Sequence, residues 1–135
     1  MTQLTIKQVV DKTIEIADRD PERVYTSPEG EGGTCYYVHT EAVGDPLAGE
    51  KRLVPGCLFG HALHELGIPF EAMYDADPGC AAGPIDEMLP AFLTEEEEER
   101  FRNNATIRSC LYGAQESQDN GHTWGDAVVA LRTLL

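Results

Sequence analysis

The stretch "VPGCLFGHALHELGIP", residues 54–69, decides how this chain is read. Gly56 leads into it, Gly67 suits the position just past a helix, and Pro69 prevents continuation. A helix is therefore predicted from about Cys57 to Leu66. On a helical wheel Leu58, Phe59, Ala62, Leu63 and Leu66 cover one face. Cys57, Gly60, His61, His64 and Glu65 cover the other. The two histidines lie one turn apart and turn away from the main apolar contact of the helix. Gly60 on the same face costs the helix about 1 kcal/mol relative to alanine. A glycine kept at that cost predicts a close approach by a backbone, a neighbouring helix or a ligand.

Side chains of these types at this spacing suggest two chemistries. Either Cys57 with His61 or His61 with His64 can reach one zinc ion, and His122 would extend the set to Cys57, His61, His64 and His122. The three helix residues together span roughly 10 Å of axis, which strains a single site. The tight CxxC or HExxH spacing of strong zinc motifs is missing, so neither a metal nor another cofactor is expected. The second chemistry is nucleophilic. A thiol at a helix N-terminus is biased toward thiolate, which makes Cys57 a candidate nucleophile. His61 or His122 would then be the base, with Asp119 orienting His122. The plainer reading of Cys57 is a small, partly buried structural cysteine.

Working outward, Thr5 with Gln8 forms a capping box for a first helix that runs to about Asp18, apolar on one side through Ile6, Val9, Val10, Ile14, Ile16 and Ala17. Arg23–Thr26 and Thr34–Thr40 are rich in Val, Tyr and Thr and read as two antiparallel strands. In the second strand Cys35, Tyr37 and His39 share one face, and Tyr36 and Val38 the other. A third short strand is expected near Arg52–Val54. Residues 69–83 read as loop with one helical turn, and Ile85–Leu89 as another turn. Thr94 with Glu97 makes a second box, and the glutamates Glu95, Glu96, Glu97, Glu98 and Glu99 fill a first turn where the helix dipole favours them. That helix is expected to reach about Gln118 and to be the longest. Thr123 with Asp126 starts a last helix, Trp124–Leu134, burying Trp124, Ala127, Val128, Leu131 and Leu135. The fold class is α+β, a single mainly helical domain over residues 1–135, with about four helices and a small antiparallel β-hairpin.

The long helix carries an oddity. Asn104, Arg108 and Gln115 form a polar seam between two apolar flanks, and buried polar groups must find partners. One reading is a hydrogen-bond network that fixes helix register, with Arg108 pairing Glu65 or Asp119. The other is the floor of a polar pocket made by His61, His64, Asn104, Arg108 and Gln115.

Composition bounds the function. With 41% hydrophobic and 7% aromatic residues the chain is of ordinary globular type. Its net charge is −14, which repels nucleic-acid phosphate and anionic membranes and argues against direct binding of either. The four cysteines, at 35, 57, 80 and 110, show no framework spacing. The N-terminus lacks the features of a secretory signal, so free thiols and a cytoplasmic location are expected.

Two phrases, "PGCLFGHALHELGIP" and "AQESQDNGHTWGDAV", resemble ones found in a group of small proteins of actinobacteria and their phages that has no established activity. The resemblance rests on Cys57, Gly60, His61, Leu63 and Gly67, then on Gln115, Gln118, Asp119, Gly121 and Trp124. It implies a small accessory protein of a bacterial cytoplasm, the host's if the chain is phage-encoded.

Three functions fit these observations. The first is an acidic interaction protein that binds another protein, such as a basic or nucleic-acid-binding host factor, without catalysis. The second is a DNA mimic, its negative charge supplied by Glu95–Glu99 with Asp75, Asp77, Asp86 and Glu87. The third is a small Cys/His enzyme or zinc protein centred on Cys57, His61 and His64.

Overall fold

The computed structural model describes residues 3–25, 36–42, 51–76 and 84–134. Its elements are helix α1 (Ile6–Arg19), strands β1 (Val38–Ala42) and β2 (Lys51–Pro55), α2 (Leu58–Glu65), α3 (Phe70–Ala76) and α4 (Ile85–Met88). A 3-10 turn (Leu89–Phe92) follows, then α5 (Glu95–Arg102), α6 (Ala105–Asp119), α7 (Trp124–Ala127) and α8 (Val129–Arg132). The fold is α+β and mainly helical, with one two-stranded antiparallel hairpin among the described residues. No helix among them is long and apolar enough to cross a membrane.

α1 forms as its pattern dictates. The Thr5 hydroxyl accepts from Gln8 N–H, and the Gln8 side chain accepts from Thr5 N–H, a complete capping box. Ile6, Val9, Val10, Ile14, Ile16 and Ala17 are buried, largely against α2. Thr94 and Thr123 each make the half of the box in which the hydroxyl accepts, from Glu97 and Asp126 N–H. A continuous cluster of buried side chains draws on every helix, with Trp124, Tyr37, Phe59 and Phe101 its bulkiest members. Burying an aliphatic or aromatic side chain of this kind contributes about 1.5–3 kcal/mol.

The hairpin differs from expectation in its pairing. β1 pairs with β2, setting Val38 opposite Pro55 and Ala42 opposite Lys51, so the predicted third strand is the true partner. Arg23–Tyr25 contributes only an isolated bridge, Val24 to Thr123. The cause is a competing set of bonds: Trp124 N–H donates to Arg23 C=O at 2.8 Å and Gly125 N–H to Pro21 C=O at 2.9 Å, tying this segment to the start of α7. Thr26, Thr34 and Cys35 lie outside the described residues. The expected alternation also fails, since Tyr37 and Val38 are both buried. Residues 36 and 37 precede the ladder and bind the α2 entrance instead, where Gly56 and Cys57 N–H donate to Tyr37 and Tyr36 C=O, each at 2.9 Å.

This junction explains Gly60. A β-carbon there would come within 2.1 Å of the Tyr37 carbonyl oxygen, so the close approach is by backbone. A β-carbon at Gly56 would lie 2.2 Å from Tyr36 C=O. Gly67, with φ of 93°, ends α2 in the left-handed conformation as its position predicted.

The expected long helix is two. It breaks at Asn104, whose side chain accepts from Ile107 N–H at 3.1 Å and so caps α6. Asparagine competes poorly for a helix interior and well for an N-cap, and here the cap wins. The last helix is likewise divided, at Val128, and Leu135 lies outside the described residues.

Two buried glutamines of α6 hold these pieces in register. Gln118 Oε1 accepts from Leu58 N–H at 2.7 Å, at the start of α2. Gln115 Oε1 accepts from Ile85 N–H at 2.7 Å, at the start of α4, while its Nε2 donates to Tyr37 OH at 2.7 Å. Cys57 and Pro84, the residues at those two N-caps, provide no side-chain cap of their own. The polar seam is thus structural at Gln115, and Gln118 extends it.

Substitution at two helical glycines should have opposite signs. Gly113→Ala, where a β-carbon meets nothing within 4 Å, should stabilise by up to about 1 kcal/mol. Gly60→Ala should destabilise by at least about 2 kcal/mol despite the same propensity gain, because backbone must move. Urea unfolding measures both. Gln118→Leu, which leaves the buried Leu58 N–H without its acceptor, should cost about 1–3 kcal/mol in the same assay.

Candidate functional site: the histidine face and the acidic groove

Cys57 is fully buried where the hairpin meets α2, and it is disulfide-bonded, whereas Cys110 is a free thiol. The expectation of free thiols is therefore overturned at Cys57. A disulfide sulfur is neither a thiolate nucleophile nor a zinc ligand, so both roles proposed for Cys57 fall. Among the described residues no group of three or more His, Cys, Asp or Glu is placed to hold a metal ion.

The histidines separate. His64 is exposed and stacks on Phe70, ring centres 4.7 Å apart and nearly parallel. His122 is exposed beyond α6, and its ring makes no hydrogen bond among the described residues. Asp119 is half-buried. His61 is half-buried and meets Trp124 edge-on at 5.4 Å, its Nε2 buried without a hydrogen-bond partner. Burial, then the nearby Arg23 charge, pushes the His61 imidazole down to about 4, against a weaker upward pull from Glu65.

His61 belongs to a group that the linear reading missed. The Arg23 guanidinium lies 4.4 Å from the centre of the Trp124 ring. The His39 ring packs over Gly56, and its Nε2 is 2.8 Å from Tyr25 OH, which also accepts from Tyr36 N–H at 2.9 Å. Burial, then Arg23, holds His39 below the ordinary histidine range. Arg23, Tyr25, His39, His61 and Trp124 come from four separate segments, so no local spacing announces them. The one available signal was the chain's single tryptophan, set directly after a Thr123 cap.

The predicted pocket does not assemble. Asn104 is spent on its cap and Gln115 on Ile85 and Tyr37, while His64 faces solvent. Arg108 is half-buried, makes no ion pair among the described residues, and leaves Nε buried without a partner. Glu65, its expected partner, instead binds Arg19 at 2.7 Å and lies 4.0 Å from Lys12. α1 outcompetes Arg108 because it packs beside α2 and presents two cations.

The glutamate run is less uniform than its sequence. Glu95, Glu96 and Glu99 are exposed, whereas Glu97 lies 3.8 Å from Arg100 and Glu98 is bonded to Arg102. A second surface feature is an open groove of about 700 Å³ between α3 and the 3-10 turn. Ala72, Ala76, Ala91 and Phe92 line it, with Asp75 in its wall. Glu71 lies one turn before Asp75, and both are exposed with no ion pair among the described residues.

Comparison with protein-family models, curated proteins and solved structures gives no match for this chain.

The buried imidazole makes stability pH-dependent with a definite sign. His61 titrates near 6.5 when unfolded and near about 4 when folded, so the unfolded chain takes up the proton first. Its contribution is complete above about pH 6.5 and is lost as pH falls toward 4. Glu15 and Glu65, held below 4.5 chiefly by Lys12 and Arg19 respectively, act only at lower pH. Urea midpoints at pH 7 and pH 5 should therefore fall for the parent chain and fall less for His61→Gln; equal falls would contradict the assignment.

Proposed function

We propose that the protein is a small acidic binding module that engages a basic, amphipathic segment of another protein without catalysis, as an accessory factor of the bacterial or phage kind its resemblance implies. The observation that carries this reading is the groove beside α3. Its alanines permit a helix backbone to approach closely, Phe92 supplies an apolar floor, and Glu71 and Asp75 on α3 are exposed with no ion pair among the described residues. An amphipathic helix with lysine or arginine on its flank matches both features. The chain's −14 charge would draw such a segment in by long-range attraction.

The alternatives have less support. A DNA mimic needs a regular row of free acids, and here Glu97 and Glu98 are occupied by arginines while Asp86 is half-buried; Asp77 lies outside the described residues. The enzyme reading has lost its nucleophile at Cys57. That disulfide also bears on setting, since such bonds persist in oxidising surroundings and are rare in a reducing cytoplasm. The module is therefore read as one that works where a disulfide survives.

Titration of an amphipathic Leu/Lys helical peptide tests the reading. Binding should weaken with salt. The double variant Glu71→Lys/Asp75→Lys should bind about tenfold more weakly at low salt, as two exposed charges reversed together can supply about 1.4 kcal/mol. Glu95→Lys/Glu96→Lys, with the same net change elsewhere, should stay within about twofold of the parent. Equal losses in both variants would mean that overall charge, not the groove, binds the peptide, and would overturn the proposal.

A further inference from the structure

A different face of the molecule supports an inference independent of the groove. We propose that Arg23 and His61, which both meet the ring of Trp124, form with the neighbouring His39 a binding site for the oxyanion group of a small ligand, a phosphate or a carboxylate.

Charge balance is the first argument. Ten lysines and arginines sit among 24 aspartates and glutamates, so a cation finds a carboxylate by default. Lys7, Lys12, Arg19, Arg100, Arg102 and Arg132 each do. Arg23 and the half-buried Arg108 make no ion pair among the described residues; of the two, Arg23 is exposed and lies over the indole of Trp124. Glu65, the acid whose charge acts on His61, is engaged with Arg19 and Lys12. An exposed cation is thus left without a carboxylate partner among the described residues of a chain whose net charge is −14.

Donor geometry is the second. The guanidinium carbon lies over the indole ring, and Arg23 is exposed, so its N–H groups can take a bidentate oxyanion. His39 and His61 both feel the Arg23 charge, and His61 also feels His39, in keeping with the Arg23 and His61 contacts to the Trp124 ring. Trp124 is 1% exposed, and its indole N–H, which can only donate, has no hydrogen-bond partner among the described residues; His61 Nε2 is likewise buried without one. Buried polar atoms without partners are uncommon, and the indole N–H and the His61 Nε2 lie in rings 5.4 Å apart beside an exposed cation. The patch holds one cation, Arg23, and a buried indole donor with no acceptor among the described residues, which an oxyanion supplies.

Trp124 is the only tryptophan, so intrinsic fluorescence reads this site directly. The full chain at pH 7 is titrated with sodium phosphate, sodium acetate, and sodium chloride at matched ionic strength. A saturable change with phosphate or acetate, absent with chloride, is expected, and the responding anion identifies the ligand group. Arg23→Gln should weaken binding at least about tenfold, the size expected for losing a charge-assisted bidentate contact. Arg23→Lys, which keeps the charge and loses the fork, should fall between. Arg132→Gln, which removes a cation paired with Asp18, should bind as the parent does. Circular dichroism of each variant verifies folding. No saturable response to either anion, or an undiminished response in a folded Arg23→Gln or Arg23→Lys chain, would overturn the proposal.

Discussion

The fold depends on two amides projecting from one helix. Gln115 and Gln118 lie one turn apart on α6, and each places its Oε1 on the first N–H of another helix, α4 and α2 respectively. The first N–H groups of a helix have no partner within it, and a buried one left unsatisfied costs about 1–3 kcal/mol. Neither Cys57 nor Pro84 provides a side-chain cap. α6 therefore does more than pack: it completes two helices whose own sequences cannot. Because Gln115 also donates to Tyr37 OH, the entrance to the hairpin is set by the same helix.

From this constraint the arrangement around α2 follows. With its N-terminus fixed by Gln118, Gly60 meets the Tyr37 carbonyl, and only hydrogen can occupy that position. The face of α2 opposite its leucines is then divided. Its N-terminal half, Cys57 and Gly60, lies under the residues leading into β1 and is buried. His61 meets Trp124 at the boundary, and His64 reaches solvent. α1 holds Glu65 against Arg19 and Lys12, so this carboxylate is engaged there while its charge still acts on His61. The groove beside α3, with Asp75 in its wall, and the Arg23–Trp124 contact beside α7 thus lie on separate parts of the surface, the one holding an acid and the other an exposed cation.

Local physics was legible in the sequence, and long-range pairing was not. The Thr5 box, the apolar stripe of α1, the Gly67 stop and the cost borne by Gly60 each follow from residues within a turn or two of one another. The break at Asn104 is written in a residue that prefers caps, yet the apolar spacing on either side of it reads as continuous. Which strand pairs with β1 depended on Pro21 and Arg23 bonding to Gly125 and Trp124, a hundred residues away. The seam on α6 was visible as an anomaly, but its purpose required knowing which two N-termini would arrive beside it. The same holds for the histidine face, since Arg23, His39 and Trp124 reach His61 only through tertiary folding.

Amide hydrogen exchange at Leu58 and Ile85 tests the central claim most directly. First-turn amides of a helix exchange readily because nothing inside the helix accepts from them. If Gln118 and Gln115 cap these helices, both amides should be protected to within about 1 kcal/mol of the global unfolding free energy. Exchange at the rate of exposed first-turn amides, such as Glu96 in α5, would contradict the account.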